Sequence, residues 1–150
     1  MDEVKTILVT TDFSDTSKKA FPLARELAER FGAKIIALHV EEHRLPPLIL
    51  EYTQVSLEEI AQRQQEHAKG ELTRFVEEHL GTGVETEVAV VSGTPHQEIA
   101  RVAEEREVDL IVMATHGRGF ISRAILGSTT ERVLRHAHCP VLSVHDGREG

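Results

Sequence analysis

The sequence predicts an α/β fold, an open parallel sheet with helices on both faces. Three observations lead there. Strand-like and helix-like segments alternate in the order β-α-β-α-β-α-β-α-β, which implies parallel strands joined by right-handed crossovers. The first strand holds a continuous apolar run, Ile7-Leu8-Val9, as in strands covered on both faces. The chain has 150 residues, 40 % apolar and 28 % charged, enough for a single domain spanning 1–150 with a core of its own.

The first strand is expected over Val4 to Thr10. Thr11-Asp12-Phe13-Ser14 then supplies turn and helix-capping residue types. A helical pattern follows, with Ala20, Ala24, Leu27, Ala28 and Phe31 on one face. Pro22 inside it implies a kink or a late start, and Gly32 is placed to end it. Lys34 to Val40 is the second strand. Ser56 with Glu59 reads as a capping box for a helix carrying Leu57, Ile60, Ala61, Ala68, Leu72, Phe75, Val76 and Leu80, closed by Gly81 and Gly83. Val84 to Val90 alternates as a third strand at an edge. Thr94, Pro95 and Gln97 predict a cap, a first helical residue and a capping box for a short helix. Asp109 to Thr115 is the fourth strand. A helix opening at Gly127-Ser128 is expected to use Val133 and Leu134 as its apolar residues. Pro140 to Val144 is the last strand, with proline at its first residue.

Composition removes several function classes. The formal net charge is −8, which argues against non-specific binding to nucleic acid or an anionic membrane. No apolar run approaches the ~20 residues of a membrane span. The opening MDEVKTILVTTD has no basic segment followed by an apolar one, so no signal peptide is expected. Cys139 is the only cysteine, which excludes an intramolecular disulfide and fits a cytoplasmic location.

The stretch from Asp109 to Cys139 concentrates the chemistry. It reads as a strand, a glycine-bearing loop and a helix start, the arrangement that presents free N–H groups and a partial positive charge to an anion. From Met113 to His136 there are four arginines (Arg118, Arg123, Arg132, Arg135) against one acid, Glu131. A second reading stands beside this: Ser128 and Glu131 form only a capping box and the arginines a solvated face. There is no G-x-x-x-x-G-K-[ST], and no glycine fingerprint after the first strand, so neither a P-loop NTPase nor a standard NAD-binding fold is expected.

Taken together, Thr115-His116-Gly117-Arg118, Gly127-Ser128-Thr129 and His138-Cys139-Pro140-Val141-Leu142, with Ile7-Leu8-Val9, Thr11-Asp12-Phe13-Ser14 and Leu38-His39-Val40, resemble the universal stress protein family. The family's ATP-binding pattern is G-x2-G-x9-G-[ST]. Gly117, Gly127 and Ser128 match it, and Ala114 replaces its first glycine. The resemblance spans essentially the whole chain. It implies a five-stranded parallel sheet in the order 3-2-1-4-5, of the adenine-nucleotide alpha-hydrolase-like kind, and an ATP ligand carrying Mg²⁺ or Mn²⁺. By position it implies that Asp12 bonds the adenosine, that Val40 meets adenine through its backbone, and that Met113 and Ala114 lie along base and ribose, with Thr10 and Arg118 also among the nucleotide-binding residues. His116, Gly117, Gly127, Ser128 and Thr129 would hold the phosphates. It also implies a homodimer paired through Pro140 to Val144, acting as a nucleotide-dependent sensor or adaptor. The alternatives are a slow ATPase or nucleotidyl-transfer enzyme, and a nucleotide-free interaction protein.

The remaining candidates are weaker. Asp12 alone could be a turn former. His136, His138 and Cys139 do not have the spacing of a recognised zinc set. His39 in an apolar strand reads as a satisfied core histidine, and Glu41-Glu42-His43 as a solvated loop near the crevice. Ser14, Ser92 and Ser128 lack the context of a hydrolase elbow, so no catalytic residue is assigned.

Overall fold

A computed structural model describes residues 3–42, 57–115 and 126–145. Five strands, β1 (Thr6–Thr10), β2 (Lys34–Glu41), β3 (Thr86–Ser92), β4 (Leu110–Ala114) and β5 (Val141–Val144), form one sheet. Its order is β3-β2-β1-β4-β5, and every pairing is parallel. Between the strands run α1 (Ala20–Phe31), α2 (Leu57–His79), α3 (Pro95–Glu105) and α4 (Ser128–His136). The third strand is thus an edge, and the expected order is the observed one.

Alternation along β1 and β2 divides the core. Ile7, Val9, Ile35 and Ala37 pack with Phe21, Ala24 and Ala28 of α1 and with Ala68, Leu72 and Val76 of α2. Leu8, Ile36 and Leu38 face the other way, onto Ile99, Val102 and Ala103 of α3 and Val133 of α4. Both faces are dry, which is why these strands carry apolar residues at consecutive positions.

The element ends differ from the sequence expectations for local reasons. Strand β1 begins at Thr6 rather than Val4, because the backbone N–H groups of Lys5 and Thr6 donate to Asp109 Oδ2 at 2.8 and 3.0 Å. Asp109 therefore ties the two strands together from outside β4 instead of opening it. Strand β5 starts at Val141, and Pro140 contributes its carbonyl to Ile111 N at 3.0 Å. Pro22 resolves as a late start. A single 3-10 turn (Ser17–Lys19) precedes α1, and Pro22 falls in its first turn, where a missing N–H breaks no helical bond. Gly32 closes α1 in the left-handed region at φ 66°.

Three apolar positions face solvent against expectation. Leu57 opens α2 and is 53 % exposed. Phe31 is 52 % exposed, because it ends α1 where the chain turns through Gly32 into β2. Leu134 is 43 % exposed: only Thr130 and Val133 of the short α4 point inward, and the next residue is rotated about 100° away. Thr94 sits at the N-cap of α3 with extended backbone and Pro95 follows at the first helical position, but the Thr94 side chain makes no capping bond, so the predicted box is not formed. Ser56, proposed to cap α2, lies outside the described residues.

Candidate functional site

In the order β3-β2-β1-β4-β5 the chain reverses direction across the sheet between β1 and β4, and such a reversal opens a crevice at the carboxyl ends of the strands. A cleft of about 620 Å³ lies there. The end of β1 and the turn after it supply Thr10, Thr11 and Asp12, the end of β2 and the residue after it supply Leu38 to Glu42, and β4 supplies Met113 and Ala114. Gly127 to Thr130 close it at the start of α4, with Pro95 and Ile99 of α3 on one flank and Glu71 of α2 on the other. Of the residues singled out from the sequence, Thr10, Asp12, Val40, Met113, Ala114, Gly127, Ser128 and Thr129 line this one cleft. His116, Gly117 and Arg118 lie outside the described residues.

The turn after β1 is held rigid. Ser17 Oγ donates to Ser14 O at 2.8 Å, so Thr11 is the donor in the 2.7 Å contact between the two hydroxyls. Thr11 Oγ1 in turn accepts from Phe13 N at 2.9 Å. Asp12 Oδ1 accepts from Ser14 N at 2.9 Å. Asp12 is therefore a turn former and a cleft-lining carboxylate together. These bonds hold Phe13 at φ 68°, a left-handed conformation that costs a bulky residue roughly 1–3 kcal/mol. Its ring then lies against His39, centroids 4.3 Å apart.

On the opposite wall α4 is fastened to β4. Gly127 N donates to Thr115 O at 2.8 Å, and Thr130 Oγ1 to Ala114 O at 2.9 Å. The N-cap is Gly127, not Ser128, and Glu131 N makes the first helical bond to Gly127 O at 2.9 Å. The S-T-T-E box does not form: glycine has no side chain to cap with, and the Glu131 carboxylate goes to Arg135, 2.8 Å away. The N–H groups of Ser128 and Thr129 have no intrahelical acceptor, as at any helix start. Ala114, where the pattern has glycine, occupies regular strand backbone paired with Val144. Its conformation is open to any residue.

Charge in the cleft differs from the sequence picture. Arg135 is taken by Glu131, and Arg118 and Arg123 are outside the described residues. The described lining contains no lysine or arginine and four acids, Asp12, Glu41, Glu42 and Glu71. One end thus suits the hydroxyl and amine donors of a ligand, and the helix start suits an anion. His39, Phe13 and Glu71 were not among the residues singled out for the site. The two aromatic positions sit beside Asp12 and Val40 in the sequence, whereas Glu71 reaches the cleft only through the docking of α2.

Nearby, His96 of α3 meets His136 of α4 with ring centroids 6.3 Å apart. Burial first, then Arg132 and His136, push its imidazole below the usual histidine range. The Cys139 thiol is pushed up, by burial and then by the Asp109 carboxylate. Among the described residues no three His, Cys, Asp or Glu side chains are grouped to hold a metal ion. No described helix is long and apolar enough to cross a membrane.

Residues 3–145 match the model of the universal stress protein family. The chain belongs to that family. It is 35 % identical over 140 residues to universal stress protein MJ0531 of Methanocaldococcus jannaschii, covering 93 % of this chain and 81 % of the relative. The solved structure of MJ0577 from the same organism superimposes with a TM-score of 0.81 at 31 % identity, covering 97 % of this chain and 99 % of that one. A universal stress protein solved in complex with cAMP gives a TM-score of 0.67 at 25 % identity, over 97 % of this chain and 100 % of that one.

Proposed function

We propose that this universal stress protein binds ATP in the cleft between β1 and β4 and acts as a nucleotide-dependent sensor or adaptor in a stress response. The observation that carries the reading is the meeting, in one cleft, of the Asp12 carboxylate, the end of β2 at Val40, and an α4 N-terminus opened by glycine. In this reading Asp12 and Thr10 border the adenosine. Val40 offers backbone groups to adenine, Met113 and Ala114 flank base and ribose, and Gly127, Ser128 and Thr129 receive phosphate oxygens. The sequence pattern adds His116 and Gly117 to the phosphate side, with Arg118 also among the binding residues. The cAMP complex of a family member supports an adenine nucleotide as the ligand class.

Mg²⁺ or Mn²⁺ belongs to this proposal as part of the ligand, held by phosphate oxygens. The protein is proposed to work in the cytoplasm as a single domain, paired as a homodimer through β5. That strand has β4 on one side only, and its Leu142 is 37 % exposed, an edge that a second copy would cover.

Asp12→Asn isolates the carboxylate. Asparagine keeps the Oδ1 acceptor for Ser14 N, so the turn and the thermal midpoint are expected to be retained. Losing a charge-assisted bond of about 1.5–3 kcal/mol lowers Mg·ATP affinity by about tenfold or more in calorimetric titration. Unchanged affinity in a folded variant removes Asp12 from the site.

A further inference from the structure

Outside the cleft, one cluster of cationic side chains has no counter-charge. His96 lies in the first turn of α3, and Arg132 and His136 lie one turn apart on α4, a spacing that puts those two on one helix face. The His96 and His136 rings meet across the two helices with centroids 6.3 Å apart, too far for their nitrogens to bond each other. Burial, then the charges of Arg132 and of His136, hold the His96 imidazole below the usual histidine range, and no carboxylate acts on it in the opposite sense. The acids nearest in sequence are taken, Glu98 by Arg101 and Glu131 by Arg135. Among the described residues, the side chains of His96, Arg132 and His136 make no hydrogen bond or ion pair within the protein.

In a chain of formal net charge −8, this groove therefore keeps a local excess of positive charge. Arg132 and His136 are exposed and His96 is half-buried, so a ligand reaches all three without rearrangement. None of them lines the nucleotide cleft. The guanidinium offers parallel N–H donors, and each imidazole offers at least one more. A planar carboxylate is satisfied by one arginine in bidentate fashion. A tetrahedral oxyanion has further oxygens, and these suit donors arriving from a second helix.

We propose that His96, Arg132 and His136 form a binding site for a phosphate-type oxyanion in the groove between α3 and α4. The site is separate from the cleft and does not rest on the nucleotide reading. Its ligand is inorganic phosphate or the phosphoryl group of a phosphorylated side chain, which share the same chemistry. Bound there, the oxyanion accepts from the Arg132 guanidinium and from an imidazole N–H of each histidine. It also supplies the negative charge that the groove lacks, and so favours the protonated form of His96.

Inorganic phosphate is titrated into the nitrogen-15-labelled protein at pH 6.5, with chloride at matched ionic strength as the control, and the imidazole nitrogen shifts of His96 and His136 are followed. The expected result is that both rings respond saturably and at one midpoint to phosphate, His96 toward its protonated value, and do not respond to chloride. Arg132→Gln keeps a side chain of polar donors but removes the charge. It is expected to raise the half-saturating phosphate concentration about fivefold, the upper range for a solvent-exposed ion pair. Gly127→Val, which disturbs the cleft, is expected to keep the response. A tetrapeptide carrying phosphoserine is the second probe. Half-saturation below that of inorganic phosphate assigns the site to a phosphorylated partner, and half-saturation at or above it assigns the site to free phosphate. An equal response to chloride, no response to either phosphate probe, a midpoint unchanged in Arg132→Gln, or a response lost in Gly127→Val overturns the site. None of these outcomes bears on whether ATP binds in the cleft, which the Asp12→Asn titration decides separately.

Discussion

Gly127→Val is expected to leave a folded protein whose affinity for Mg·ATP is lowered by roughly a hundredfold, the cost of losing about 3 kcal/mol of phosphate contacts. Gly127 has φ −61° and ψ 148°, a conformation that valine adopts freely. The substitution therefore does not strain the backbone as it would at a left-handed glycine. The helix start suffers modestly, since valine is a poorer N-cap than glycine. What the two methyl groups disturb is the lining itself: Gly127 is buried at the cleft, between the N–H groups of α4 and the space proposed for phosphate. Calorimetry on wild type and variant, with circular dichroism to show retained helix, checks this. Retained affinity would move the phosphates away from α4.

Phe21→Ala is expected to cost about 3–5 kcal/mol of stability and to lower the thermal midpoint by roughly 10 °C. Phe21 is fully buried and meets Phe75 edge to face, with ring centroids 5.1 Å apart. Phe75 in turn lies 5.7 Å from Phe13, so this aromatic cluster links α1 and α2 and underlies the strained turn beside Asp12. A close-packed core cannot refill the volume of a phenyl ring. Urea unfolding measures the loss, and a value below about 1 kcal/mol, the range of an ordinary surface substitution, would show that α1 packs differently.

The alternation of strand and helix, the punctuation by Gly32, and the edge character of β3 were legible because they depend on local chemistry: periodicity, left-handed glycine, turn residues. Strand adjacency was not. Nothing in the pattern places β1 beside β4, and that step came from resemblance to a family. The misjudged details share one cause, competition among partners that a linear reading cannot arbitrate. Glu131 could cap α4 or pair with Arg135, and it pairs with Arg135. Asp109 could begin a strand or accept the N–H groups of Lys5 and Thr6 more than a hundred positions away, and it accepts them. Phe31 and Leu134 lie at the limits of apolar stripes whose burial depends on where the sheet ends beneath them.

For the cleft, the residues in matching motifs could be named from sequence, whereas its electrostatics could not. Counting arginines along the chain suggested a cationic site, yet the described lining is acidic except at the start of α4. The acids come from the turn after β1, the end of β2 and the middle of α2, three segments that only the folded sheet and its helices bring together. His39 shows the same limit. In sequence it is a polar residue in an apolar strand, and its hydrogen bond to Thr11 O gives it a defined tautomer at the floor of the cleft.

Whether the β1–β4 cleft is an adenine-nucleotide site is decided by a calorimetric titration. The purified protein is first denatured and refolded to remove any bound small molecule, then titrated with Mg·ATP up to millimolar concentration. Saturable heat with one nucleotide per chain, lost in Gly127→Val, is the expected result. Absence of heat across that range, from a refolded protein with native circular dichroism, would rule the site out.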